Sequence, residues 1–137
     1  MSFSIINRDR SVKAIRQRFQ FNTASIGAGI QAGALPVGAL IVSCRVHIIT
    51  PFNAGGSDLL ASGQAAGNAE FMINGDLSGA ANTVVDQTGW AVQQYELLGA
   101  INPLPVFIQY TQSGGAATAG DALFVLEYQE PATLTAL

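Results

Sequence analysis

The sequence predicts an all-β protein, a two-sheet antiparallel sandwich, jelly-roll-like, of about eight strands. Three observations predict it. Apolar residues recur at every second position in several short runs. Those runs are rich in β-branched and aromatic residues. Clusters of Gly, Pro, Asn and Ser divide them at short intervals. Residues 8–18 offer a short helical alternative, but the alternation from Arg16 to Phe21 fits a strand better.

Charge divides the chain before the elements do. Arg8, Arg10, Lys13, Arg16 and Arg18 are five of its six basic residues, and residues 1–18 carry a net charge of +4. The remainder carries −7. The expected organisation is a basic N-terminal arm over 1–18 and a sandwich domain over 19–137. A chain of 137 residues is one ordinary domain, long enough for a core without metal or disulfide staples.

The elements follow in order. From residue 15, Ile15, Gln17, Phe19 and Phe21 share one side and Arg16, Arg18, Gln20 and Asn22 the other, as in a half-buried strand. Residues 24–34 are rich in Gly and Ala and read as a loop or a flat strand with weak register. Leu35-Pro36-Val37-Gly38 opens the strongest strand, in which Leu40, Val42, Cys44, Val46 and Ile48 face the core. Ile41, Ser43, Arg45, His47 and Ile49 form its mixed side. Pro51 to Gly56 is a turn or short loop. Shorter strands are expected at 57–62, 69–74 and 82–86, with Asn74-Gly75-Asp76 as a hairpin turn. Residues 90–98 and 105–112 are better strands, and Val106, Ile108 and Tyr110 share a face of the second. After the small-residue loop 113–120, Ala122, Phe124, Leu126 and Tyr128 alternate along a last strand that Pro131 ends.

Composition bounds the function. Charged residues are 11% of the chain, against about 25% in ordinary soluble proteins, and the mean hydropathy is +0.32. A surface so poor in charge is expected to be covered by partners, since large apolar patches on proteins usually mark contacts. An outer face of Ser, Thr, Asn and Gln is the alternative that needs none. The longest weakly polar stretch, Ile26 to Val42, holds four glycines, Gln31 and Pro36, so it is no spanning helix. The polar, basic N-terminus does not read as a secretory signal, which implies folding in the cytoplasm.

Catalytic chemistry is scarce. The lone histidine, His47, lies mid-strand and reads as structural or interfacial rather than as a general base. Cys44, the lone cysteine, sits on the apolar side and reads as a small hydrophobe. These counts leave no cysteine- or histidine-rich metal site. Gly27, Gly29 and Gly33 miss the dinucleotide fingerprint by one position, with no helix pattern after them. Asp58, Asp76, Asp86 and Asp121 stand near turn residues without the alternating oxygen ligands of a calcium loop. No cofactor is expected, and the protein reads as no enzyme. The cluster Arg8, Arg10, Lys13, Arg16 and Arg18 suits docking on an acidic protein surface. A plain solvated arm is the first alternative, and nucleic acid fits less well, because the body is acidic and no aromatic residues interleave with those arginines.

Several runs carry a family resemblance. Gly33-Ala34-Leu35-Pro36-Val37-Gly38-Ala39-Leu40-Ile41, Phe52-Asn53-Ala54-Gly55-Gly56, Leu59-Leu60-Ala61-Ser62-Gly63, and Thr118-Ala119-Gly120-Asp121-Ala122 with Tyr128 resemble small virion structural proteins of tailed bacteriophages. The likeness spans most of residues 19–128 and rests on turn and packing positions. The arginine-rich start has no counterpart in it. The resemblance implies a capsid decoration (cement) protein of the virion, a homo-oligomer (trimer or dimer) docked on the major capsid protein. A tail or fibre component is the alternative. A carbohydrate-binding jelly roll, with Trp90, Tyr95 and Tyr110 stacking on a sugar, is a third reading, although core packing explains those rings more simply.

Overall fold

The computed structural model describes residues 12–87 and 103–130. Eight strands make up the described chain: β1 (Lys13–Gln20), β2 (Ile30–Leu35), β3 (Leu40–Thr50), β4 (Ser57–Gly63), β5 (Met72–Asp76), β6 (Thr83–Gln87), β7 (Leu104–Ser113) and β8 (Asp121–Gln129). They form two four-stranded antiparallel sheets, ordered β1-β8-β3-β6 and β2-β7-β4-β5. This is the jelly-roll order, so the expected all-β sandwich is the observed one. Of the successive strands, only β4 and β5 are neighbours in one sheet; every other step crosses to the opposite sheet.

Alternation explains the packing. In β1, Ile15 and Phe19 are buried while Arg16, Arg18 and Gln20 are exposed. In β3, Cys44, Val46 and Ile48 turn inward as expected. The register slips between Ile41 and Ser43, and this bulge buries Ile41 and exposes Val42, reversing both expectations at the strand's start. Val106, Ile108 and Tyr110 of β7 and Leu60 and Ser62 of β4 supply the opposing inner face.

The two sheets meet at one end through an aromatic stack. Phe52, in the β3–β4 connection, lies 5.7 Å from the Phe19 ring and 5.0 Å from the Tyr110 ring, centroid to centroid. It thus touches a residue of each sheet. Gly120 makes room for it: φ is 153° there, and a Cβ would sit 2.5 Å from the Phe52 ring.

Several expectations change. Leu35-Pro36-Val37-Gly38 does not open β3. Leu35 ends β2, and Pro36 to Ala39 form a turn closed by a 3.1 Å bond from Ala39 N–H to Pro36 C=O. Gly38, with φ of 75°, takes a left-handed dihedral at the turn's third position, which glycine adopts without strain. Of the glycine-rich stretch 24–34, residues 30–34 belong to β2, and the flat-strand alternative holds for them. Asn74-Gly75-Asp76 is no hairpin turn. These residues lie inside β5, where Asn74 has φ of 51° and the pairing with β4 slips. The same tolerance of positive φ that suits Asn to a turn serves a β-bulge here. The division after residue 18 falls within β1, because Ile15, Gln17 and Phe19 pair in register with Leu126, Phe124 and Ala122 of β8. The strand expected at 90–98 lies outside the described residues.

Replacing Gly120 by alanine is expected to cost about 2 kcal/mol or more, through overpacking against Phe52 and strain at a positive φ. Equilibrium urea unfolding of both proteins measures it.

Candidate functional site

The sandwich has two outer faces of unlike chemistry. The β1-β8-β3-β6 sheet carries Lys13, Arg16, Arg18, Arg45, Asp86, Asp121 and Glu127. The other sheet holds Asp58, which points inward and is buried, and Asp76 near its edge. Its outer face is built from Leu59, Ala61, Phe107, Gln109 and Thr111, the alternates of buried residues on β4 and β7. It is therefore uncharged across these two central strands.

The charged face is a network. Arg45 donates from Nε to Nε2 of His47 at 3.2 Å and from Nη1 to Oγ of Ser43 at 3.0 Å. Ser43 donates in turn to Oε1 of Glu127 at 3.0 Å, and Arg45 pairs with the same carboxylate. His47 is thereby engaged as an acceptor for a guanidinium, in a part-buried structural role. The outward-facing Val125 is only 3% exposed, although its cross-strand neighbours are Arg16 and Arg45. Stems of long basic side chains cover apolar surface in this way.

The expected docking residues are not one free arm. Arg8 and Arg10 lie outside the described residues. Lys13 donates to Oε2 of Glu130 at 2.7 Å. Arg18 grips Asp121 with two donors, Nε at 3.0 Å and Nη2 at 2.5 Å. Arg16 is exposed and makes no ion pair among the described residues. Hydrogen bonds from Arg18 hold the Asp121 carboxyl below the usual carboxylate range, against the opposing effect of its burial. Sequence alone showed the cations but not these partners, which lie more than a hundred residues away.

Tyr110, weighed for sugar stacking, is a core residue. It is 3% exposed, and its hydroxyl donates to the buried carboxylate of Asp58, which also accepts the Ala54 N–H at 3.2 Å. Burial, then the Asp58 carboxylate, push the Tyr110 hydroxyl pKa up. Trp90 and Tyr95 lie outside the described residues. Asp76 accepts the Ser78 hydroxyl at 2.6 Å and its N–H at 2.9 Å, bonds that hold its carboxyl below the usual range. Asp58, Asp76 and Asp121 thus serve separate structural contacts, and the described residues hold no group of three His, Cys, Asp or Glu able to bind a metal ion. A shallow, open depression lined by Asn68, Ala69, Glu70 and Ile73 does not enclose a small ligand as binding clefts do. Cys44 is fully buried, and burial pushes its thiol up to about 12.

Known proteins were compared with this chain and its fold. No family model and no curated protein sequence matches it. Solved structures do. A chain of the cyanophage Pam1 capsid asymmetric unit is similar with a TM-score of 0.57 and 19% identity, over 88% of this chain and 85% of that one. A chain of the acidic stable capsid structure of Helicobacter pylori bacteriophage KHP30 is similar with a TM-score of 0.54 and 12% identity, over 100% and 98% of the two chains. These likenesses cover most of this chain in one case and all of it in the other, and establish the shared fold.

Two outcomes follow from the site. In the folded protein at pH 8, Cys44 is expected to resist iodoacetamide, and to react once urea unfolds the chain; mass spectrometry of the adduct reads both states. For Arg18→Met, the Asp121 linkage sets the pH dependence. The folded carboxyl lies below its unfolded value, near about 3.9. The stability it contributes is full above that value and is lost as pH falls through the folded one. The stability gap between wild type and variant is therefore expected to be constant near neutrality and to close in acid, as urea titrations between pH 7 and 2 would record.

Proposed function

We propose that this chain is a structural part of a phage shell, a capsid decoration (cement) protein that self-associates and docks on the major capsid lattice. The observation that carries the reading is the likeness of this fold, over 88% and 100% of the chain, to chains of two phage capsid structures. The surface supports it. A protein fitted between neighbours must desolvate its contacts, and ions are costly to desolvate without partners. One sheet here is uncharged along the outer sides of β4 and β7, and on the other most ions are already paired within the subunit. Repeated small contacts of this kind suit an assembly held by symmetry.

A structural rather than catalytic role follows from the same features. His47 is held by Arg45, and the Cys44 thiol is buried and protonated at neutral pH. The basic cluster Arg8, Arg10, Lys13, Arg16 and Arg18 is proposed to meet acidic protein surface, with Arg16 the most available of those described. The virion is then its destination, after folding in the host cytoplasm.

The test is a copy count. Quantitative mass spectrometry of purified particles of the phage that encodes this chain is expected to find on the order of hundreds of copies per particle, as a head lattice requires. A few to about tens of copies would move the protein to the tail or a fibre, and its absence from particles would overturn the reading.

A further inference from the structure

We infer that copies of this chain associate edge to edge, with β1 of one copy beside β6 of the next and Arg16 against Asp86 of that next copy. The inference rests on the reading as a self-associating shell component and names the contact. The two strands are the opposite edges of one sheet, ordered β1-β8-β3-β6. Arg16 pairs in register with Val125, Val125 with Arg45, and Arg45 with Asp86. One transverse row thus begins with an exposed cation and ends with an exposed anion. Neither has an ion-pair partner among the described residues.

Strand direction permits the contact. Every pairing in the sheet is antiparallel, so β1 and β6 run opposite ways. Repeating the subunit alongside itself therefore continues the antiparallel alternation across the junction. In the same register, Arg16 falls opposite Asp86 of the neighbour, with Cα atoms about 5 Å apart. Arg18 falls opposite the neighbour's Val84, which is 47% exposed and which an arginine stem can cover.

Edge regularity points to the same sheet. β1 pairs with β8 over eight residues, and β6 with β3 over five, without a slip. Both edges of the other sheet, β2 and β5, are bulged where they pair, a device that blunts edges against further strands. Charge also selects the partner. Two β1 edges would bring Lys13, Arg16 and Arg18 against their own kind, whereas β1 against β6 sets Arg16 on Asp86. Such a head-to-tail contact is heterologous and closes into a ring or extends into a lattice. In this arrangement the acidic surface that Arg16 meets is that of a neighbouring copy.

Charge exchange tests it on the full-length protein. Light scattering over a concentration series is run on wild type, Arg16→Glu, Asp86→Arg, Asp86→Asn and the double reversal, with circular dichroism confirming the fold. The neutral Asp86→Asn matters because arginine at 86 faces Arg45 within its own subunit. Each change of one residue is expected to weaken self-association by about tenfold, and the double reversal to restore most of it. Single variants that associate like wild type, or a double reversal no better than the worse single, would overturn the contact. A wild-type chain that stays monomeric yet is found in particles overturns the contact and leaves the shell role standing.

Discussion

Strand β8 is the constraint on which the rest of the molecule depends. It lies between β1 and β3 and pairs with both along almost its whole length. Ala122, Phe124 and Leu126 are fully buried on its inner side. Val125 is nearly so on its outer side, between Arg16 and Arg45 in the register. The strand that closes the described chain thus joins the one that begins it to the longest of the described strands. Without it, β1 has no neighbour in its sheet, and Phe19 loses its place beside Phe52. Backbone groups in a half-formed sheet are left without partners, so the sheet forms with β8 or not at all.

The electrostatics follow from that closure. β8 and the residue after it carry Asp121, Glu127 and Glu130, which take up Arg18, Arg45 and Lys13. Lys13 and Arg18 from the basic start and Asp121, Glu127 and Glu130 from the acidic body, separate in sequence, come together on one sheet with most of its ions matched. The opposite sheet needs no such matching along β4 and β7. Among the described residues the molecule therefore has one sheet uncharged along its two central strands, and a second whose ions are mostly matched, with Arg16 and Asp86 left unpaired on that second sheet's edges. Such a distribution lowers the cost of covering these faces, because unmatched ions are costly to bury.

Much of the fold was legible in the residues. Cys44, Val46 and Ile48 on one side of β3, and Val106, Ile108 and Tyr110 on one side of β7, are period-two patterns that a strand of any topology must show. Turn chemistry was less legible. Asn74-Gly75 signals positive φ, and positive φ occurs at Asn74, but whether it serves a turn or a bulge depends on where β4 lies alongside. Leu35-Pro36-Val37-Gly38 reads as the opening of the long strand, yet it ends β2 and turns the chain into the other sheet, a change of sheet that no local residue signals. The candidate site was read from its cations alone. Their count and strand spacing were visible, but Glu130 and Asp121 as their partners were not, since nothing local links Lys13 to Glu130 or Arg18 to Asp121.

By itself the sequence determined the class of the protein: strands rather than helices, one core, few ions and few reactive groups. These are local or additive properties, set by side-chain alternation and composition. Only the tertiary structure decided the order β1-β8-β3-β6, the burial of Asp58 beneath Tyr110, and which cations are left without a carboxylate. Those depend on pairings between distant segments. A strand's pattern specifies which side is buried but not which strand will lie beside it.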